Sequence, residues 1–400
     1  MEITTNVAVV GLGAFGSAAL WQLAERGVDC VGLEQFTPGH DRGSTHGSTR
    51  LFRVACLEHP GLVPLALRAR DLWYDLGEKQ NVELLRQVGG LMIGPQDGRI
   101  LAGTIEAATA HGLDVEELTT DQIRERYPLH AGIPDDYAGV WEPHAGVVKP
   151  EESVTAAVRQ ASALGATVLE NTPVVAIDTE GSQVVVRTTT GLVRARKVIV
   201  ATGAWLDKLI PGVVATPRRT PMLWFTQKDL PENASLDNAS LEDTFGLDAF
   251  PVFIRQVDET SSIWGHGAIW GHDVKIGLED TGPEFFDCDP DTVDRGINPK
   301  QDWAQLSDVV SRAVPALDPV PVRAITCMVT NSRDHQFLIG ALTDRPNVIV
   351  AGGCSGHGFK HASGIGEHLA ELATDRRPTV DLSFTDPNRN FSDSSASISH

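Results

Sequence analysis

The stretch VAVVGLGAFG at residues 7–16 decides the fold, because an apolar run leads directly into three glycines spaced Gly-x-Gly-x-x-Gly. A helical pattern follows, and a second apolar run ends at Glu34. This order of strand, glycine turn, helix and acid-terminated strand is that of a dinucleotide-binding unit. Gly11 permits the tight turn, Gly13 lets the backbone approach a pyrophosphate, and Gly16 allows close packing of the helix on the sheet. Glu34 can accept hydrogen bonds from the ribose hydroxyls. We therefore predict an adenine dinucleotide site. Its N-terminal position favours FAD over NAD, although the motif does not decide between them, and a glycine-rich turn without a ligand is the alternative.

Composition limits the size and the partners of the protein. The chain has 400 residues, of which 42% are hydrophobic, so two domains are expected. A formal net charge of −20 argues against nucleic acid and against an anionic membrane surface, because both would repel the protein. No apolar run reaches about 18 residues and no signal peptide precedes the first strand, which predicts a soluble, cytoplasmic protein.

The five cysteines are scattered singly along the chain. Their spacing fits neither a disulfide framework nor the paired ligands of a zinc site, so no metal is expected. Each cysteine is by default a small buried side chain.

Hydrophobic spacing predicts an alternation of strands and helices. Between about residues 211 and 318 the chain is richer in Pro, Trp and Phe, with alternating runs typical of an inserted antiparallel sheet. Helices are predicted at 62–76, twice within 99–127, at 147–164 and at 364–373, and strands at 90–94, 174–178, 184–188, 197–205 and 347–353.

These elements predict an α/β fold with two domains. A discontinuous, Rossmann-like FAD/NAD(P)-binding domain comprises residues 1–85, 145–210 and 325–385. A substrate-binding domain built on the antiparallel sheet comprises 86–144 and 211–324. The polar, Ser-rich end, 386–400, is predicted to be a disordered tail.

Four segments in a fixed order resemble the monomeric sarcosine oxidase family of flavin amine oxidases, which includes N-methyltryptophan oxidases and fructosyl-amino-acid oxidases (amadoriases). They are the glycine motif, HGSTRLFR at 46–53, CMVT at 327–330 and GCSGHGFK at 353–360. The last two are far more specific than the first. The resemblance covers nearly the whole chain apart from the tail.

The resemblance implies FAD attached covalently through the Cys327 sulfur, where an inert buried thiol is the alternative. Cationic neighbours would favour the reactive thiolate. The turn at 355–360 would present backbone N–H groups to the flavin. The cofactor-binding residues expected are Gly11, Gly13, Gly16, Glu34, Ser44, Thr45, Thr49, Val174, Thr202, Gly203, Cys327, Gly356, His357, Gly358, Phe359 and Lys360.

The resemblance also assigns roles around the substrate. Arg53 and Lys360 would fix a substrate carboxylate, the alternative being two solvated surface cations. Arg50 would stabilise the reduced flavin. His46 would orient its loop, unless it is simply a satisfied core histidine.

Lys275 would stabilise the anion formed when dioxygen is reduced. Glu279 departs from the sarcosine and methyltryptophan oxidases, which have His four residues beyond this lysine. The amadoriases have Glu there, in contact with the sugar, and a solvated strand-end carboxylate is the alternative.

The expected function is oxidation of the secondary amine of an N-substituted amino acid, with dioxygen as acceptor and hydrogen peroxide as product. Fructosyl (Amadori) compounds are favoured slightly over N-methyl amino acids such as sarcosine. The expected partners are the small-molecule amine and dioxygen, and the expected state is a monomer. A same-fold dehydrogenase that passes electrons to another carrier and a non-catalytic flavin-binding protein are the alternatives.

Overall fold

Within residues 2–228, 244–279 and 285–391, which the computed structural model describes, the chain forms two large sheets and one small one. The strands are β1 Glu2–Val10, β2 Cys30–Leu33, β3 Arg50–Phe52, β4 Leu85–Gln87, β5 Gly90–Pro95, β6 Glu116–Thr119, β7 Tyr137–Glu142, β8 Gly146–Val148, β9 Thr167–Leu169, β10 Val174–Glu180, β11 Gln183–Thr188, β12 Gly191–Val200, β13 Thr216–Phe225, β14 Val252–Gln256, β15 Ser262–His266, β16 Val274–Leu278, β17 Phe286–Asp287, β18 Arg323–Asn331, β19 Leu338–Ala341 and β20 Val348–Gly352. The helices are α1 Ala14–Glu25, α2 Val63–Gln80, α3 Arg99–His111, α4 Thr120–Arg126, α5 Pro150–Ala163, α6 Leu206–Leu209, α7 Pro299–Asp302, α8 Ala304–Ala313 and α9 Ala362–Ala373.

The first sheet has a parallel core in the order β9, β2, β1, β12, β20. β10, β11 and β19 extend it with antiparallel pairs. The carboxyl ends of parallel strands lie at one edge, so the turns after β1, β2 and β12 are brought together there. Helices α1 and α9 approach closely on one face, since a Cβ added at Gly366 would lie 2.4 Å from the backbone of Ala18. The α/β prediction is confirmed.

The second sheet has the order β17, β13, β16, β15, β14, β5, β7, β6, with β18 paired to β13. All of its pairs are antiparallel except β5 with β14, which run parallel. The predicted antiparallel insertion is therefore mixed at this one junction, where two distant parts of the chain meet. Residues 229–243 and 280–284 of the predicted insertion lie outside the described residues.

Two predicted boundaries differ from the observed packing. β18 pairs with β13 from Thr216↔Asn331 to Trp224↔Arg323, so Cys327 stands on the second sheet, although the boundary at 325 put it in the first domain. In the predicted tail, Arg389 is paired with Asp334 at 2.7 Å, so residues 386–391 contact the folded chain. Residues 392–400 lie outside the described part. No helix among the described residues is long and apolar enough to cross a membrane.

Candidate active site

A cavity of about 410 Å³ opens at the carboxyl edge of the parallel strands. Gly11 forms the turn after β1 with φ +86°, and a Cβ at Gly16 would lie 1.8 Å from the Gly11 carbonyl oxygen, so helix and turn meet this closely only without side chains. The predicted residues that line the cavity are Gly11, Gly13, Glu34, Ser44, Thr45, Val174, Thr202 and Gly203.

The cavity wall fits a dinucleotide in its chemistry. Glu34 is buried and accepts hydrogen bonds from the backbone N–H of Leu12 at 2.8 Å and of Phe36 at 3.0 Å. Burial would raise the pKa of Glu34, but His40 and these N–H groups lower it overall, so the side chain is a carboxylate. The hydroxyls of Thr202 and Thr330 also line the cavity, and each is buried with no hydrogen-bond partner in the described part of the chain. Buried hydroxyls of this kind call for a polar ligand.

A tight loop at residues 47–49 is held between Glu151 and the buried Lys275. Glu151, in the first turn of α5, accepts from Gly47 N at 2.6 Å and Ser48 N at 3.1 Å. Lys275 Nζ donates to the carbonyls of Gly47 at 2.8 Å and Thr49 at 3.0 Å. The loop is strained, because Ser48 has φ +69° without being glycine. A carboxylate on the N–H side and an amine on the carbonyl side therefore hold the loop.

Lys275, on β16, is 1% exposed. Burial lowers its pKa well below the ordinary value and the charge of Arg50 lowers it further, whereas Cys327 and Glu151 act in the opposite direction. Its Nζ also lies 5.0 Å from the centroid of the Trp224 ring, a contact that favours the cation. The lysine is therefore a buried titratable group held in a fixed position by two carbonyls. Thr49, which supplies one of the carbonyls, is fixed in turn by a 2.8 Å hydrogen bond between its hydroxyl and His266.

Arg50, His46 and Cys327 are brought together beside this loop. Arg50 donates to the carbonyls of Thr49 and Ser44, each at 2.8 Å, and its guanidinium lies 4.0 Å from the Cys327 sulfur. Burial raises the pKa of Cys327, and the charges of Arg50 and Lys275 partly offset this. Burial, helped by Arg50, lowers the pKa of His46 to about 3, so His46 is neutral near pH 7.

The glycine-rich turn before α9 offers mainly its backbone. Gly356 has φ +83°, and a Cβ at Gly358 would lie 2.9 Å from the Cβ of Cys354. His357 stacks on Phe337 with ring centroids 4.7 Å apart, and burial lowers its pKa to about 4. Phe359 stacks on Trp73 at 5.7 Å. The side chains of His357 and Phe359 thus pack within the protein, which leaves backbone groups for the contact predicted with a cofactor.

Arg53 and Lys360 do lie together, but a carboxylate that the sequence analysis missed lies between them. Glu58 Oε1 is 2.5 Å from Arg53 Nη2 and 3.0 Å from Lys360 Nζ. Burial would raise the pKa of Glu58, but the two cations hold it well below its ordinary range. Both cations are almost fully buried, which contradicts the alternative of two solvated surface charges.

A second missed carboxylate supports the segment that carries Arg53. Glu142, at the end of β7, accepts from Val54 N at 2.5 Å and Ala55 N at 3.2 Å. Neither Glu58 nor Glu142 belongs to a motif, and the only available signal was that buried cations need nearby anions. Glu151 and His266, which also belong to no motif, were missed as well.

Glu279 lies just after β16 and is partly exposed. Its Oε2 is 2.5 Å from Arg99 Nη2, at the start of α3, and its negative charge also acts on Arg53. Glu279 is thus already paired with a surface arginine. Among the described residues, no group of three or more His, Cys, Asp or Glu side chains could hold a metal ion.

A parallel sheet whose carboxyl edge opens into a cavity that fits a dinucleotide, with buried cations grouped beside it, is the arrangement of a dinucleotide-dependent oxidoreductase. The family model for FAD dependent oxidoreductases (DAO) matches residues 6–372. Monomeric sarcosine oxidase of Bacillus sp. (strain B-0618) is 34% identical over 97% of this chain and 97% of its own length. N-methyl-L-tryptophan oxidase of Yersinia pestis (strain Pestoides F) is 30% identical over 94% of this chain and 97% of its own.

Among solved structures, the open form of NikD, an unusual amino acid oxidase essential for nikkomycin biosynthesis, superposes with a TM-score of 0.78. It is 25% identical and covers 96% of this chain and 98% of its own. The chain therefore belongs to the FAD-dependent oxidoreductase (DAO) family, in the group of monomeric sarcosine oxidase and N-methyltryptophan oxidase. The resemblance inferred from the four sequence segments is confirmed, and FAD is the cofactor of the family.

Proposed function

We propose that this protein oxidises the secondary amine of N-substituted amino acids, N-methyl amino acids foremost, with dioxygen as acceptor and hydrogen peroxide as product. The observation that carries the proposal is the Glu58 carboxylate between Arg53 and Lys360. A guanidinium and an amine that already hold one carboxylate at 2.5 and 3.0 Å have the geometry to hold that of an amino acid. The names of the sarcosine and N-methyltryptophan oxidase relatives support the same class of substrate.

The buried cations then serve two separate tasks. When bound, FAD supplies the oxidant that accepts hydride from the carbon next to the amine nitrogen. Arg53 and Lys360 fix the carboxylate and so orient the amine. Lys275 would provide positive charge where dioxygen gains an electron; the carbonyls of Gly47 and Thr49 and the Trp224 ring favour its ammonium form against the effect of burial on its pKa.

We propose further that FAD is attached covalently through Cys327. The Arg50 guanidinium 4.0 Å from its sulfur and the charge of Lys275 both favour the thiolate, against the opposing effect of burial. The thioether would replace one C–H bond of the flavin 8α-methyl group, and the two electrons released would pass through the flavin to dioxygen, the acceptor proposed above. A monomeric state fits the name of the sarcosine oxidase relatives. The cofactor contacts proposed are those of the cavity wall, the loop at 44–50 and the turn at 356–360.

Fructosyl amino acids are a second candidate, and Glu279 is the observation that favours them. Together with Arg99 it forms a polar pair just after β16, where a sugar could exchange hydrogen bonds and a methyl group could not. The existing contact with Arg99 weighs against this candidate, because a sugar would have to share or displace it.

A peroxide assay across sarcosine, N-methyltryptophan, fructosyl-glycine, fructosyl-valine and fructosyl-lysine tests the proposal. We expect peroxide with the N-methyl amino acids and much less with their amides, which lack the carboxylate. Equal rates on acid and amide would contradict the role of Arg53 and Lys360. Substrate-dependent dye reduction without oxygen uptake would instead identify a dehydrogenase.

A further inference from the structure

We infer that Glu142 is a positioning residue for Arg53, the residue proposed above to bind the substrate carboxylate; the inference therefore rests on the proposed function. Glu142 is 1% exposed and stands at the end of β7, far from Arg53 in sequence. Its Oε1 accepts the N–H groups of Val54 and Ala55, the two residues directly after Arg53. No contact of its side chain with Arg53 itself is required.

The segment after Arg53 is held from both sides. Glu142 holds the N–H of Ala55 at 3.2 Å, and Arg53 Nη1 donates to the carbonyl of the same residue at 3.3 Å. Val54 and Ala55 are fully buried, so without the carboxylate their N–H groups would lose their acceptor in a region with little access to water. A shift of this backbone would move the guanidinium away from Lys360, with which it shares Glu58.

The surroundings of Glu142 act on its pKa in opposite directions. Burial raises its pKa overall, and the two N–H groups and the charges of Arg53 and Lys360 offset this only in part. Its Oε2 is buried without a hydrogen-bond partner in the described part of the chain. A carboxylate kept in such a place is unfavourable for stability unless it is balanced by nearby charge, which Arg53 and Lys360 provide.

The test uses holoenzyme with its flavin and two near-isosteric variants, Glu142→Gln and Glu142→Leu. We expect Glu142→Gln to raise both the KM for sarcosine and the Kd for acetate, read from the flavin absorbance, by about tenfold with little change in kcat. Glu142→Leu, which removes the acceptor altogether, should have the larger effect. Glu367→Gln is the matched control, because Glu367 on α9 is also a buried carboxylate but pairs with Arg68 of α2 and with Arg26 at the end of α1. It should lower the melting temperature and leave KM unchanged.

If the role of Glu142 were purely structural, Glu142→Gln would lower the melting temperature but leave KM and the acetate Kd unchanged. That result would overturn the inference. A crystal structure of Glu142→Leu, in which Val54 N and Ala55 N lose their acceptor, gives a second, independent reading, since the Arg53 guanidinium should be displaced from Glu58. An unmoved Arg53 would equally overturn the inference. If the wild-type enzyme oxidised an N-methyl amino acid and its amide at equal rates, the proposed function would be wrong. The position of Arg53 in the Glu142 variant would still decide whether Glu142 positions Arg53.

Discussion

Replacing Glu58 by Gln should have opposite effects on stability and on carboxylate binding. Glu58 holds both Arg53 and Lys360 through one oxygen, and its side chain is 15% exposed. The substitution keeps the shape of the side chain and removes its charge. The two buried cations are then left without their shared anion.

The sizes of the two effects follow from this geometry. Removing one partner of a buried ion pair costs about 3–5 kcal/mol of folding free energy, because the remaining charge is uncompensated. A carboxylate ligand, however, no longer competes with Glu58 for the cations. We expect acetate to bind about ten- to a hundredfold more tightly, which corresponds to roughly 1.4–2.7 kcal/mol.

The loss of stability should also depend on pH in a defined direction. The pKa of Glu58 is held well below its ordinary range in the folded protein, so its contribution is fully present above the unfolded pKa of about 4.3. It is lost as the pH falls through the folded pKa. The difference in unfolding free energy between wild type and Glu58→Gln should therefore be constant from neutral pH to about 4.5 and shrink below that.

Denaturant unfolding from neutral pH into this acid range and acetate titration of the flavin spectrum measure the two effects. Glu367→Gln is again the control, and it should lose stability without gaining affinity for acetate. Acetate that binds Glu58→Gln no better than wild type would refute the reasoning, because the cation pair would then not be the carboxylate site.

Three further variants test the remaining residues. Cys327→Ser should release the yellow colour into the supernatant after acid precipitation, whereas flavin released from wild type would contradict the covalent link. Lys275→Met should slow flavin reoxidation by oxygen about a hundredfold in stopped flow, or about 3 kcal/mol, and slow reduction by substrate much less; equal losses would exclude the oxygen role. Glu279→Gln should lose about ten- to a hundredfold in kcat/KM on fructosyl amino acids and less on sarcosine, if the sugar is a substrate at all.

The sequence was sufficient for the parts of the fold that depend on local pattern. The glycine motif predicted the turn after β1. Apolar spacing predicted α2, α5 and α9, with ends that differ from the observed ones by a few residues. The parallel junction of β5 with β14 was not predictable, since pairing between strands about 160 residues apart leaves no local signal. The same holds for the pairing of β18 with β13, which carries Cys327 to the second sheet.

Some residues of the candidate site could likewise be predicted from the sequence and others could not. Its cations, among them Arg50, Arg53 and Lys360, stand in recognisable motifs and could be named from sequence. The carboxylates Glu58 and Glu142 could not, because the chain has 53 acidic residues and nothing local distinguishes the two that face buried cations.

The need for such carboxylates nevertheless follows from the cations alone. A guanidinium or ammonium moved from water into a protein interior is strongly unfavourable unless an anion or several carbonyls surround it. Arg53 and Lys360 meet this condition with an anion, and Lys275 meets it with two carbonyls of a loop whose N–H side is held by Glu151. A site that binds an anionic substrate through buried cations therefore needs anions of its own before the substrate arrives. The strength with which these anions hold the cations determines how well the substrate carboxylate can compete for them.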